Sequence, residues 1–107
     1  MAADPVVILG ARRTPIGAFQ GVFANAKATE LGAAAVAAAV GDAGVDGGSV
    51  DEVVMGCVLP AGLGQAPARQ AALGGGLPVG VACTTVNKMC GSGMKAIMQA
   101  YDGIVAG

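Results

Sequence analysis

ACTTVNKMCGSGM, residues 82–94, decides how the rest of the chain is read. Its first five residues, Ala82 to Val86, are small or β-branched and predict a short buried strand. A tight turn follows, and Gly91 and Gly93 lead into a helix with Cys90 at the joint. A thiol placed there faces the free amides and positive dipole end of the following helix, which favour its thiolate form. Gly91 and Gly93 lack a Cβ, so another backbone or a substrate carbonyl can come close. Lys88 adds a nearby cation. Taken alone, a cysteine beside glycines is more often a small buried packing residue than a nucleophile.

Working outward, two more apolar runs match this strand. Val53-Val54-Met55-Gly56-Cys57-Val58 predicts a second buried strand with Cys57 packed inside it, and Cys83 is read as buried in the same way. Val6 to Leu9 is a four-residue apolar run ending at Gly10, which predicts a strand covered on both faces. Between the runs lie helices. Thr29 is placed to cap one that continues to about Ala43, with Glu30 in its first turn and Gly44 at its end. Leu31, Ala35, Ala38 and Ala39 share a face whose small side chains allow close approach to a sheet. Pro67 opens a second helix towards Leu73. The last helix puts Met94, Ile97, Met98, Tyr101 and Ile104 at core spacing, with Lys95, Gln99 and Asp102 along a polar edge. Strand and helix alternate three times, which predicts a layered α/β fold with mostly parallel pairing.

The loops carry less chemistry. Arg12 and Arg13 leave the first strand either as a solvated pair or as partners in an intersegment or intersubunit salt bridge. Phe19 and Phe23 are expected to anchor their Gly-rich loop from beneath, and Arg69 is expected to make a structural ion pair rather than to contact a neighbouring chain.

Composition removes several classes of function. Six Lys and Arg against seven Asp and Glu give a net charge of −1 without a basic cluster, so nucleic acid is not an expected partner. The hydrophobic fraction of 54% is largely alanine, and no apolar run reaches the ~18 residues of a membrane span. MAADPVVILG lacks the basic region and long apolar core of a secretory signal, so the mature chain is expected to start near Met1. Three cysteines without a C-x-x-C pair fit a reducing cytoplasm, and no metal site is expected. The chain has no histidine, so it cannot complete a cysteine–histidine pair by itself.

The run CTTVNKMCGSGMKA closely resembles the active-site segment of the thiolases, whose N-x-x-C-[GSA]-S-G motif is matched by Asn87, Cys90, Gly91, Ser92 and Gly93. ARRTPIGAFQG at residues 11–21 and GLGQAPARQAAL at residues 62–73 agree in order and spacing. The variant looks most like the acetyl-CoA acetyltransferase branch. What the resemblance implies is an α/β/α thiolase-like fold, of which residues 1–107 form an incomplete amino-terminal domain with about three strands and three helices. Members of the family are several times longer, and two later strands lie between the first and second strands of this segment. It further implies that Cys90 carries an acetyl group from acetyl-CoA towards acetoacetyl-CoA, or the reverse. The activating histidine, a second cysteine and most coenzyme A contacts belong to later parts of the family's chain. No cofactor is implied, since coenzyme A thioesters are substrates, and no cofactor-binding residue is identified. A homo-oligomer is expected. Thiolases often have Asn where this chain has Ala66, which removes a hydrogen bond from that position. Two other readings are a ketoacyl synthase with the same fold, and a catalytically silent thiolase-like chain that only binds a partner.

Overall fold

The computed structural model describes residues 4–107, so the expected start near Met1 lies outside the described residues. Helix α1 (Ala28–Ala43) begins one residue before the expected cap. The Glu30 carboxylate accepts the Lys27 amide at 2.9 Å, which moves the cap back to Lys27 and leaves Thr29 buried inside the first turn. Gly44 ends the helix in the left-handed conformation, as its sequence predicts. A short 3₁₀ turn at Gly47–Ser49 then leads to strand β1 (Glu52–Gly56).

Helix α2 (Pro67–Gly74) has proline at its start, where no amide is needed. It carries the chain over to strand β2 (Ala82–Val86), which pairs with β1 in parallel, from Glu52 opposite Ala82 to Gly56 opposite Val86. The Cys57 amide donates to the Val86 carbonyl at 2.9 Å and lengthens the ladder by one bond, although Cys57 itself lies just past the strand. Helix α3 (Ser92–Ala106) packs back mainly on β1.

Helix α1 packs on α2 rather than on a sheet, and does so through Gly32, Ala33 and Val36. This is not the face expected from Leu31, Ala35, Ala38 and Ala39, of which Ala38 is exposed and Ala39 borders residues 6–10. A Cβ at Gly32 would lie 3.0 Å from that of Ala71, and one at Gly75 only 2.7 Å from Val36, so the helices touch backbone to side chain. The core gathers under α2: Ala72, Leu77 and Val81 are buried, with Val36, Val40, Val50, Val53 and Cys83 against them. Arg69 fixes its wall by donating to the carbonyls of Val79 at 2.9 Å and Val81 at 3.2 Å. The structural role expected for Arg69 is thus filled, by carbonyls and not by an acid.

Three expectations are corrected. Val6 to Leu9 joins no strand, and Ile8 is 85% exposed. The sheet among the described residues has two strands, and its β1 edge is unpaired on the far side. The unpaired run borders an apolar cleft of about 570 Å³ whose other walls are Ala39, Val40, Ile97, Tyr101 and Ile104. The stripe of α3 is therefore not a core stripe: Ile97 is 71% exposed, and only Ala96 and Ser92 of this helix are buried. An apolar run cannot become a strand without a neighbour to accept its ladder, nor can a stripe be buried without a layer over it. Finally, Phe19 is 93% exposed, whereas Phe23 packs on Gly17 as expected. Arg12 forms an intersegment salt bridge with Asp42 at 2.6 Å, and Arg13 donates to the Thr14 carbonyl. Both sides of the bridge are substantially exposed, so it adds at most about 1 kcal/mol.

The exposed surface totals 7397 Å². A self-contained monomer of this 10.2 kDa mass exposes roughly 5,300 Å². The 107-residue chain by itself is accordingly expected to melt without a cooperative transition or to aggregate. A sharp calorimetric transition of the monomer would contradict this.

Ala66 holds φ 47° and ψ 67° at the cap of α2, a left-handed conformation that costs a residue with a Cβ about 1 kcal/mol and suits Asn better. Ala66→Asn is expected to recover about that much, also by giving the helix a side-chain acceptor. Urea midpoints of the two proteins measure it, and an unchanged or lowered midpoint would count against the strain.

Candidate active site

Cys90 stands exposed between the end of β2 and the start of α3. The strand aims the chain at the helix, but the turn between them is built by side chains. Asn87 Oδ1 accepts the Met89 amide at 3.0 Å. The Ser92 hydroxyl donates to the Met89 carbonyl at 2.6 Å and accepts the Lys88 amide at 2.9 Å. Gly91 donates to the Lys88 carbonyl and Ser92 to that of Met89 through their backbone amides. Met89 is held at φ 49°, a left-handed conformation unusual for a long side chain. Five of the six residues from Asn87 to Ser92 thus take part in bonds that close around Cys90.

Two expectations about this turn change. The Gly91 and Ser92 amides are consumed by the turn, so they are not free to meet a thiolate. The Cys90 amide, by contrast, has no hydrogen-bond partner among the described residues. Gly93 has open space around its Cα, and Gly91 only a 3.4 Å approach to the Lys88 carbonyl. The tight backbone approach occurs elsewhere, at Gly56. A Cβ there would sit 2.3 Å from the Ser92 carbonyl carbon and 2.5 Å from the Gly93 nitrogen, so the end of β1 directly supports the start of α3.

Gly56, Met89 and Thr85 are the residues missed by sequence reasoning. Thr85 Oγ1 accepts the Ala68 amide at 3.0 Å and ties the first turn of α2 to β2. The signal for Gly56 was present, because a glycine inside an apolar strand marks close approach of another backbone. No local signal marks Met89. Lys88 contributes its backbone, and among the described residues its side chain joins no ion pair.

The other two thiols are placed differently. Cys83 is half-buried on β2 against the core, with Sγ 3.6 Å from the Val81 carbonyl. Cys57 borders a small cavity of about 60 Å³ lined by α1, α2 and β2 residues such as Thr29, Ala71 and Thr85. Among the described residues no cluster of His, Cys, Asp or Glu could hold a metal, and no helix is long and apolar enough to cross a membrane. What the site offers is an exposed thiol on a braced turn, with an amide at the same residue that has no partner among the described residues.

Comparison with known proteins places this geometry in context. Residues 6–107 match the family "Thiolase, N-terminal domain". The chain is 58% identical to acetyl-CoA acetyltransferase 2 of Arabidopsis thaliana, over 95% of this chain and 25% of that protein. It is 55% identical to the mitochondrial acetyl-CoA acetyltransferase of Mus musculus, over 97% of this chain and 24% of that one. The mitochondrial enzyme of Homo sapiens is 52% identical over 95% of the chain and 24% of its own length. The chain spans about a quarter of the length of the curated relatives it matches.

Proposed function

This chain belongs to the thiolase family, and from that membership we propose that it supplies the acyl-carrying cysteine of an acetyl-CoA C-acetyltransferase. The observation that carries the reading is the exposed Cys90 on its braced turn, inside a segment related to proteins named acetyl-CoA acetyltransferase. Cys90 Sγ, as thiolate, attacks the carbonyl carbon of acetyl-CoA. The bond from that carbon to the coenzyme A sulfur breaks, and coenzyme A leaves as its thiol after taking up a proton. The Cys90 amide, without a partner among the described residues, is available to the tetrahedral oxyanion. In the second half, a base outside these residues takes a methyl proton from another acetyl-CoA. The carbanion so formed attacks the thioester carbonyl, forming acetoacetyl-CoA and releasing Cys90 as thiolate. Thiolysis of acetoacetyl-CoA is the reverse. Splitting one acyl transfer into two steps is the gain from a covalent intermediate.

With no histidine in this chain, the base that takes the thiol proton comes from outside these 107 residues, and the segment by itself is expected not to turn over. The proposal extends to a homo-oligomeric, cytoplasmic protein. Three free thiols fit a reducing compartment, and the exposed Ile16, Phe19 and Val22 fit a loop covered in an assembly.

The test is incubation with acetyl-CoA at neutral pH, then intact mass and peptide mapping, with the remaining family segment supplied. One acetyl group on Cys90, with Cys57 and Cys83 unmodified, supports the proposal. Acetylation only from an acyl carrier protein thioester would point to a ketoacyl synthase instead. No acetylation at all would identify a silent partner chain.

A further inference from the structure

We infer that Ser92 is a positioning residue for Cys90, acting through Met89: its hydroxyl holds Met89 in the left-handed conformation that fixes the thiol at the head of α3. The inference rests on reading Cys90 as the reacting thiol. Ser92 is only 5% exposed, although it opens a helix beside an exposed residue. A serine so placed commonly caps its own helix, yet the cap residue here is Gly91, and the hydroxyl turns backwards. Its one proton goes to the Met89 carbonyl at 2.6 Å, and it accepts the Lys88 amide at 2.9 Å. The hydroxyl thus bonds the peptide groups on both sides of Lys88 and Met89, the two residues immediately before the nucleophile.

Those bonds oppose a specific strain. Met89 at φ 49° carries an unbranched side chain that is 68% exposed, so packing gives it little reason to stay there. Asn87 Oδ1 secures the Met89 amide, and Ser92 secures its carbonyl. Without the hydroxyl the Met89 carbonyl keeps only the residue-92 backbone amide at 3.1 Å, and the Lys88 amide loses its acceptor. The left-handed methionine is then freer to relax towards a right-handed or extended conformation and rotate the Cys90 peptide with it. Ser92 cannot retreat from this duty by sliding along the helix, because its own carbonyl carbon abuts Gly56.

The experiment compares Cys90 alkylation by iodoacetamide across variants of the protein at its full natural length, with Cys57 and Cys83 as folding reporters. Ser92→Ala is expected to slow labelling of Cys90 about fivefold to tenfold while the other two thiols keep their rates. Adding Met89→Gly to Ser92→Ala is expected to return most of the rate, since glycine holds a left-handed conformation without help. A purely structural serine would not be rescued by a change three residues away. An unchanged rate in Ser92→Ala, or a loss that Met89→Gly does not repair, would overturn the inference. Should Ser92→Ala fail to fold, Met89→Gly alone decides: it is expected to raise the urea midpoint and leave the Cys90 rate within about twofold, whereas a lowered midpoint would mean that Met89 is not strained. Acetyl transfer from acetyl-CoA is measured on the unaltered protein in parallel. Failure there removes the proposed function and leaves the alkylation comparison standing.

Discussion

Gly56→Ala is expected to destabilise the fold by about 3 kcal/mol and to disturb the turn that holds Cys90 at the same time. The added Cβ would fall 2.3 Å from the Ser92 carbonyl carbon, 2.5 Å from the Gly93 nitrogen and 2.6 Å from the Ser92 oxygen. All three are backbone atoms, so no side chain can rotate out of the way. Either β1 pulls away from β2, breaking the end of a register in which Gly56 lies opposite Val86, or the first turn of α3 moves outward. The second route shifts Ser92, and with it both bonds that hold the turn around Cys90. Gly93→Ala is the control, because its Cβ would meet nothing within 4 Å and alanine favours the helix. Urea midpoints and Cys90 alkylation rates of the two variants check the contrast. Equal midpoints would show that β1 does not support the head of the helix.

The second large effect is chemical. With the remaining family segment supplied and on the proposed mechanism, Cys90→Ala should remove acetyl transfer by a factor on the order of 10³ or more, because the thioester to Cys90 can no longer form. Cys57→Ala and Cys83→Ala should keep a near-normal kcat and lose only stability, about 1 kcal/mol each, through small voids beside the cavity and the core. Steady-state rates and mass spectra of the three variants separate these outcomes. Retention of covalent acetylation in Cys90→Ala would transfer the role to another residue and end the present mechanism.

Where sequence and structure agree, the information is local. The strand from Ala82 to Val86, the helix after Cys90, Pro67 opening α2 and Gly44 closing α1 each depend on a few neighbouring residues and stand as their sequence predicts, except that none of the strand's residues is buried as expected. The position of Cys90 at the strand-to-helix joint was legible for the same reason. What failed depends on partners distant in sequence. Val6 to Leu9 has the composition of a strand but no neighbour to pair with, and Ile97 and Ile104 have core spacing but no layer above them. Periodicity states which face wants burial, not what buries it. The bracing of the turn was hidden differently. Ser92 reads as a helix-start residue, and nothing in its neighbourhood reveals that its hydroxyl turns back to Met89 or that Gly56, 36 residues earlier, lies beneath it.

That contact across the chain gives the thiol a history as well as a place. Since β1 lies under the head of α3, the turn around Cys90 cannot acquire its final shape from residues 82–94 alone, however readily they form a strand and a helix. It waits for a loop of more than thirty residues to close, the slow and entropically costly kind of event in folding. A nascent or partly unfolded chain therefore lacks the braced turn at position 90, and completion of that turn is a late step that reports assembly of the sheet.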